Sequence, residues 1–307
     1  MMIVVANKEG TSGFDTAVEH LKAHNNGLRS IIQGIKCVEA DNEIHTVGCN
    51  SWPDLLGNLT LDASVMDGST LNSGAVGCLS GFLHPVEIAY EVMQRLDHQI
   101  LVGTGAERFA EEIGAKRHEN LTAQAKEVWW RQLERCLTEE QKKAFPNVRL
   151  LDIAKKAQDP ERIFDTTVYL TRDINSDIAA ATSTSGWAWK YPGRLGDSPI
   201  IGAGSYADSR YGACACTHTG EMTIRAGTAR SVVLYLKMGL SLDEAVYEAA
   251  RDLAAIKYGF IGEVTIHAID KHENHKVISF RGSEPVYYWI WKDSLSKPEL
   301  KQADYVE

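Results

Sequence analysis

No stretch of the 307 residues approaches the ~20 apolar residues that span a bilayer, and no basic segment precedes the short apolar run of the amino terminus, MMIVVANKEG. That run reads as a first strand rather than a signal peptide, and a membrane partner is not expected. A dense Lys/Arg stripe is missing as well. With 32 basic residues against 41 acidic ones the formal net charge is -9, which argues against a phosphate-backbone-binding surface and so against nucleic acid. The six cysteines, Cys37, Cys49, Cys78, Cys136, Cys214 and Cys216, show no C-x-x-C spacing of a zinc site or disulfide framework. Reduced, mostly buried thiols in a cytoplasm are expected. There is also no G-x-x-x-x-G-K-[ST] phosphate loop, no H-E-x-x-H and no G-x-S-x-G elbow. The ten histidines are dispersed, and His272 and His275 of KHENH fall in a polar turn, so no metal site is expected.

What is present describes an ordinary folded soluble protein: 44% hydrophobic and 24% charged residues, with a mean hydropathy of -0.23. In LRSIIQGIKCVEA the residues Leu28, Ile31, Ile32, Ile35 and Val38 recur at helical spacing, and in HPVEIAYEVMQRL Pro85 fits the first turn of a second amphipathic helix. Between them NLTLDASVMDGSTLNSGAVGCLSG carries β-type residues and glycine turns. AKEVWWRQLERCLTEEQKKAF reads as a charged helical stretch, and the end of PNVRLLDIAKKAQDPERIF as a connector. TTVYLTR and DIAAATSTSGWAWKY read as strands. GTARSVVLYLKMGL and SLDEAVYEAARDLAAI read as helices, the second opened by a Ser241/Glu244 capping box, and EVTIHAIDKHENHKVISF as a hairpin. Strands, helices and strands in that order, with few βαβ alternations, favour stacked antiparallel layers.

The second half is dense in hydroxyls and glycines: DTT, TSTSG, PGRLGDSP, GAGSYAD and CTHTGE. Each piece alone suits the surface of a strand-rich protein. In this order and spacing, continuous from Asp165 to Glu221, and with TLDASVMDG and GAVGCLSG echoing the first half, they resemble the N-terminal-nucleophile hydrolases of the type 2 asparaginase family, and the resemblance covers most of the chain. It implies an α+β fold, a four-layer αββα sandwich formed by residues 1–307 as a single domain, with autocleavage between Asp165 and Thr166 into an α chain (1–165) and a β chain (166–307).

Thr166 is then the nucleophile. A threonine hydroxyl is weak and needs a base; an α-amino group, with a reference pKa of about 8, supplies one on the same residue once the preceding amide is cut. The resemblance places Arg194 on the substrate α-carboxylate, to which its planar fork is suited, and Asp197 on the α-ammonium with help from the Gly220 carbonyl. It places Thr184 beside the nucleophile, and Thr217 with the backbone amide of His218 at the oxyanion. Implied are hydrolysis of a β-aspartyl amide, no cofactor, no catalytic metal, and a dimer of αβ pairs. Asp165 before the cut points to the glycosylasparaginase branch and N4-substituted asparagine as substrate, with free L-asparagine or β-aspartyl dipeptides as the alternative. A non-catalytic amino-acid-binding protein on the same fold is the alternative of another class. Three departures stand out: Val168 where relatives carry a small residue, His218 where glycine is common, and VVANKEGTSG where glycosylasparaginases place a tryptophan near the sugar. Trp52, Trp187 and Trp189 are candidates to rebuild an aromatic wall.

Overall fold

The computed structural model describes residues 2–157 and 166–307. Asp165 and the end of the connector before it lie outside the described residues. The strands are β1 (Ile3–Asn7), β2 (Leu61–Asp67), β3 (Ser73–Leu79), β4 (Ile100–Val102), β5 (Thr167–Arg172), β6 (Ile178–Thr184), β7 (Ser205–Asp208), β8 (Gly212–His218), β9 (Val264–Asp270), β10 (His275–Phe280), β11 (Tyr287–Lys292), β12 (Glu299–Gln302) and β13 (Asp304–Val306). The helices are α1 (Thr11–His24), α2 (Gly27–Glu39), α3 (Pro85–Arg95), α4 (Gly103–Glu112), α5 (Ala123–Leu133), α6 (Glu139–Ala144), α7 (Leu151–Ala157), α8 (Gly220–Ala226), α9 (Thr228–Lys237) and α10 (Leu242–Ala254).

Two sheets result. One runs β12-β11-β1-β5-β6-β2-β3-β4 and the other β13-β10-β9-β8-β7. Every pairing is antiparallel except β3 with β4 and β10 with β13. Side chains alternate faces along a strand, and the alternation sorts the core. In β5, Val168 and Leu170 pack with Ile3 and Val5 of β1, Ala213 and Ala215 of β8 and Ile269 of β9. Tyr169, on the opposite face, joins Val4, Phe14, Ile31 and Ile35, its ring 6.2 Å from that of Phe14. A third cluster covers the other face of the smaller sheet, where Ile266, Ala268 and Ile278 meet Val232, Val233, Val246 and Leu253 of α9 and α10. The protein is thus a mixed α+β fold, two sheets flanked by helices.

The helical periods identify real helices because each has one apolar stripe and a cap. Pro85 stands at the start of α3, where its missing N–H is no loss. Both bonds of the Ser241/Glu244 capping box form at α10. Two expectations need correction. The strand over DIAAATSTSGWAWKY stops at Thr184, because the chain turns into the left-handed region at Gly186 (φ +70°) and Trp189 (φ +52°). The charged stretch after Glu119 is broken rather than continuous: Thr138 opens α6 with its own capping box, its side chain and that of Gln141 each bonded to the other's backbone amide, and a further helix, α7, follows it. Trp129, Leu133, Ile153 and Trp189 hold these segments in a separate cluster. The cysteines are unpaired; Cys49, Cys214 and Cys216 are buried and the other three partly so. Among the described residues no helix is long and apolar enough to cross a membrane.

Candidate active site

Three strands run from the inter-sheet core to a threonine on the same face: Leu170 and Val168 of β5 lead back to Thr166 just before the strand, Ala180 leads through Thr182 to Thr184 in β6, and Ala213 and Ala215 lead to Thr217 in β8. The sheet period therefore sends all three threonines into the space between the sheets. Thr167 pairs with Ser183 across β5 and β6, which sets Thr166 beside Thr184. Thr166, Thr184 and Thr217 are 8%, 2% and 2% exposed.

Asn7, at the end of β1, fixes the nucleophile candidate. Its side-chain amide donates to the Thr166 carbonyl at 2.5 Å and accepts from the Val168 amide at 3.0 Å. Sequence reasoning missed Asn7; nothing in VVANKEG marks it as more than a strand end. Val168, for its part, is 1% exposed and packed in the inter-sheet core, so its bulk fills that core rather than the cleft.

Thr166, Thr184, Trp187, Arg194, Asp197 and His218 line one cleft. Thr217 and His218 line a second, outer cavity of about 590 Å3 with Asn7, Lys8, Glu9 and Glu263. Gly220 stands behind Asp197: a Cβ there would lie 2.6 Å from Asp197 Oδ1, so only glycine permits the approach. Trp187 is the one candidate tryptophan on the cleft, with the Arg194 guanidinium 4.5 Å over its ring. Trp52 and Trp189 stack on each other, ring centroids 6.0 Å apart, in the helical cluster. They build no wall here.

Arg194 is engaged by Glu221. Its Nε and Nη2 donate to Glu221 Oε1 at 3.1 and 3.0 Å, and Nη2 to Oε2 at 3.0 Å. A carboxylate on that fork is what the arginine is built to hold, and any further carboxylate binding there would have to share the fork with Glu221 or displace it. The residue lay in plain view at the end of CTHTGE, and only its spatial partner was hidden.

Asp197 is 6% exposed and accepts from Thr223 Oγ1 at 2.6 Å. Burial pushes its pKa up to about 6, while the Thr223 bond and the Arg194 charge pull it down. Asp197 is thus a carboxylate at neutral pH in a site that gains by pairing it with a cation. Among the described residues no cluster of three or more His, Cys, Asp or Glu side chains could hold a metal ion.

A family model described as Asparaginase, the type 2 form, matches residues 6–276. The chain belongs to the type 2 asparaginase family. It is 31% identical over 272 residues to the plant-type L-asparaginase of Pyrococcus abyssi, covering 89% of this chain and 85% of that one. It is 32% identical over 290 residues to the N(4)-(beta-N-acetylglucosaminyl)-L-asparaginase of Elizabethkingia miricola, covering 88% and 80%. With the isoaspartyl peptidase/L-asparaginase of Rattus norvegicus it shares 33% over 238 residues, 78% and 66% of the two chains. As a member of this asparaginase family the chain is an amidohydrolase; its relatives divide between plant-type and glycosylasparagine-directed names, and similarity alone does not choose a leaving group.

Proposed function

We propose that the chain forms a four-layer αββα sandwich, cuts itself between Asp165 and Thr166, and then hydrolyses the β-aspartyl amide of N4-substituted asparagine. The observation that carries this reading is the convergence of Thr166, Thr184, Arg194, Asp197 and His218 on one cleft from separate elements. The outer cavity adjoining it, within the range of ~300–1,000 Å3 usual for ligand sites, has room for the substituent of a leaving amine. Free L-asparagine or a β-aspartyl dipeptide is a second reading, favoured by His218, larger than glycine, lining both the cleft and the outer cavity.

In the proposed reaction the freed α-amino group of Thr166 takes the proton of its own hydroxyl as Oγ1 attacks the side-chain carbonyl of the substrate. The tetrahedral oxyanion is met by the Thr217 hydroxyl and the His218 amide, donors worth about 3 kcal/mol each when aimed at developing charge. The protonated amino group then hands its proton to the departing amine, leaving an aspartyl ester on Thr166. Water, deprotonated by the same group, releases aspartate and restores the threonine. Arg194 and Asp197 hold the α-carboxylate and α-ammonium throughout, reading the aspartyl half common to all candidate substrates.

The test is aspartate release from glycosylasparagine, L-asparagine and β-aspartyl dipeptides at equal concentration. The highest kcat/KM is expected on an N4-substituted asparagine, and release from none of them would refute the assignment. A second expectation follows from Asp197. Since its folded-state pKa of about 6 lies above the usual 3.8, KM rises as pH falls below about 6, approaching tenfold per pH unit as the carboxylate gains a proton. Asp197→Asn raises KM at pH 7 by about 100-fold, the loss of a charge-assisted bond worth ~3 kcal/mol. The same substitution leaves Tm at pH 7 unchanged or higher. The raised pKa means that ionising Asp197 disfavours the fold increasingly from about pH 4 to 6 and fully above, and the variant removes that cost. A drop in Tm at pH 7 of more than a few degrees would contradict the sign.

A further inference from the structure

His218 has φ +79°, the left-handed region in which a side chain is disfavoured and where such a conformation commonly marks a functional site. The side chain that imposes this strain is held at both ends. Its Nδ1 lies 2.9 Å from Thr217 Oγ1 and its Nε2 3.4 Å from Glu263 Oε1, and the residue borders both the cleft and the outer cavity. Four groups face it: Thr217 on its own strand, Glu263 from the loop before β9, Glu9 from the turn after β1, and His267 from β9. Burial, the largest influence, holds the pKa of the imidazole below its ordinary 6.5, while Glu263, Glu9 and a bond with the Thr217 backbone pull it partly back up. His267, driven down to about 3 by burial, is neutral and adds no charge.

A hydroxyl has one proton to give. When His218 is neutral and its Nε2–H donates to Glu263, Nδ1 is an acceptor and takes the Thr217 proton. When the imidazole is protonated, both nitrogens donate, Nδ1–H to Thr217 Oγ1 and Nε2–H to Glu263, and the Thr217 proton is free to turn away from the ring.

We propose that His218 is a positioning residue that sets the donor direction of the Thr217 hydroxyl, placing it at the oxyanion when the imidazole is protonated and withdrawing it when the imidazole is neutral. This rests on Thr217 as the oxyanion donor. It gives the left-handed histidine a task that glycine at the same position cannot perform: coupling the strength of the oxyanion site to pH, through a relay of Glu263, His218 and Thr217.

The experiment measures kcat on saturating L-asparagine, or on whichever β-aspartyl amide is turned over fastest, from pH 5 to 8.5, with the cleaved wild type, His218→Gly and Thr217→Ala. Saturation keeps Asp197 paired with substrate, and taking the ratio of variant to wild type cancels the titration of the Thr166 amine. The ratio for His218→Gly is expected to be smallest at the acid end of the range, where the imidazole is most protonated, and to rise toward about tenfold at pH 8, the scale of one neutral hydrogen bond released. A ratio independent of pH overturns the proposal. If Thr217→Ala leaves kcat unchanged, the oxyanion assignment itself has failed; a slow Thr217→Ala with a flat His218→Gly ratio rejects the relay alone. Should His218→Gly fail to fold or cleave, Glu263→Gln decides. Without the facing carboxylate the imidazole loses one of the charges that raise its pKa, so kcat falls at the acid end of the range and is unchanged at pH 8. Equal effects at both pH values count against the relay.

Discussion

Thr166→Ala is expected to remain a single 33.9 kDa chain under conditions in which the wild type separates into residues 1–165 and 166–307, and to release no aspartate above background. One hydroxyl supports two reactions. In the proposed reactions it first attacks the Asp165 carbonyl, the Asp165-Thr166 peptide bond breaking to free the Thr166 amine and leave an ester that water opens, and it then attacks substrate with that amino group as base. Losing it removes both, so the fall in kcat is at least about 10⁴-fold, a rise in the barrier of about 5 kcal/mol. The fold should survive, because the Asn7 bonds go to the Thr166 carbonyl and the Val168 amide, and neither involves the hydroxyl. Intact mass and thermal melting check both halves, and a Thr166→Ala chain that still splits would move the nucleophile elsewhere, Thr167 first.

Arg194→Ala is expected to lower kcat/KM by about 10²–10³-fold, the ~3–4 kcal/mol cost of removing one partner from a desolvated charge pair. Arg194→Lys should recover only part of this, since an ammonium keeps the charge but not the two-pronged fork. Stability should change little. Glu221, left without its partner, is about one-third exposed on its side chain and water takes over its solvation. Cleavage at Asp165-Thr166 should proceed at the wild-type rate, because that step has no substrate carboxylate to hold. Intact-mass timing against kinetics on substrate separates the two readouts, and a variant defective in both would make Arg194 structural.

Much of the site is legible along the chain because its residues sit in motifs with fixed local spacing. Arg194 and Asp197 in PGRLGDSP, Thr184 in TSTSG and Thr217 to Gly220 in CTHTGE stand out by their order and spacing. What the motifs hide is partnership. Glu221 in the same run as Thr217 reaches back to Arg194; Thr223 supports Asp197 from the first turns of α8; and Asn7, more than 150 residues from Thr166, grips its carbonyl. Long-range partners leave no local signal when each belongs to an ordinary strand end or helix. The late strands β11 to β13 escape sequence reasoning for a related reason: Tyr287–Lys292 joins the sheet between β12 and β1, the first strand of the chain.

The sequence by itself pointed to the family and to the elements with a clear local period, among them α2, α3, α9, α10 and the β9–β10 hairpin, because apolar spacing, caps and ordered motifs are all contained in short windows of the chain. The tertiary structure decided the rest: that Thr166 and Thr184 share one cleft with His218 while Thr217 borders the outer cavity, that Val168 fills core instead of cleft, and that the residue after Thr217 is left-handed. Backbone sign at one position and contact across two sheets depend on how the layers close on each other, and no window of residues along the chain contains that information.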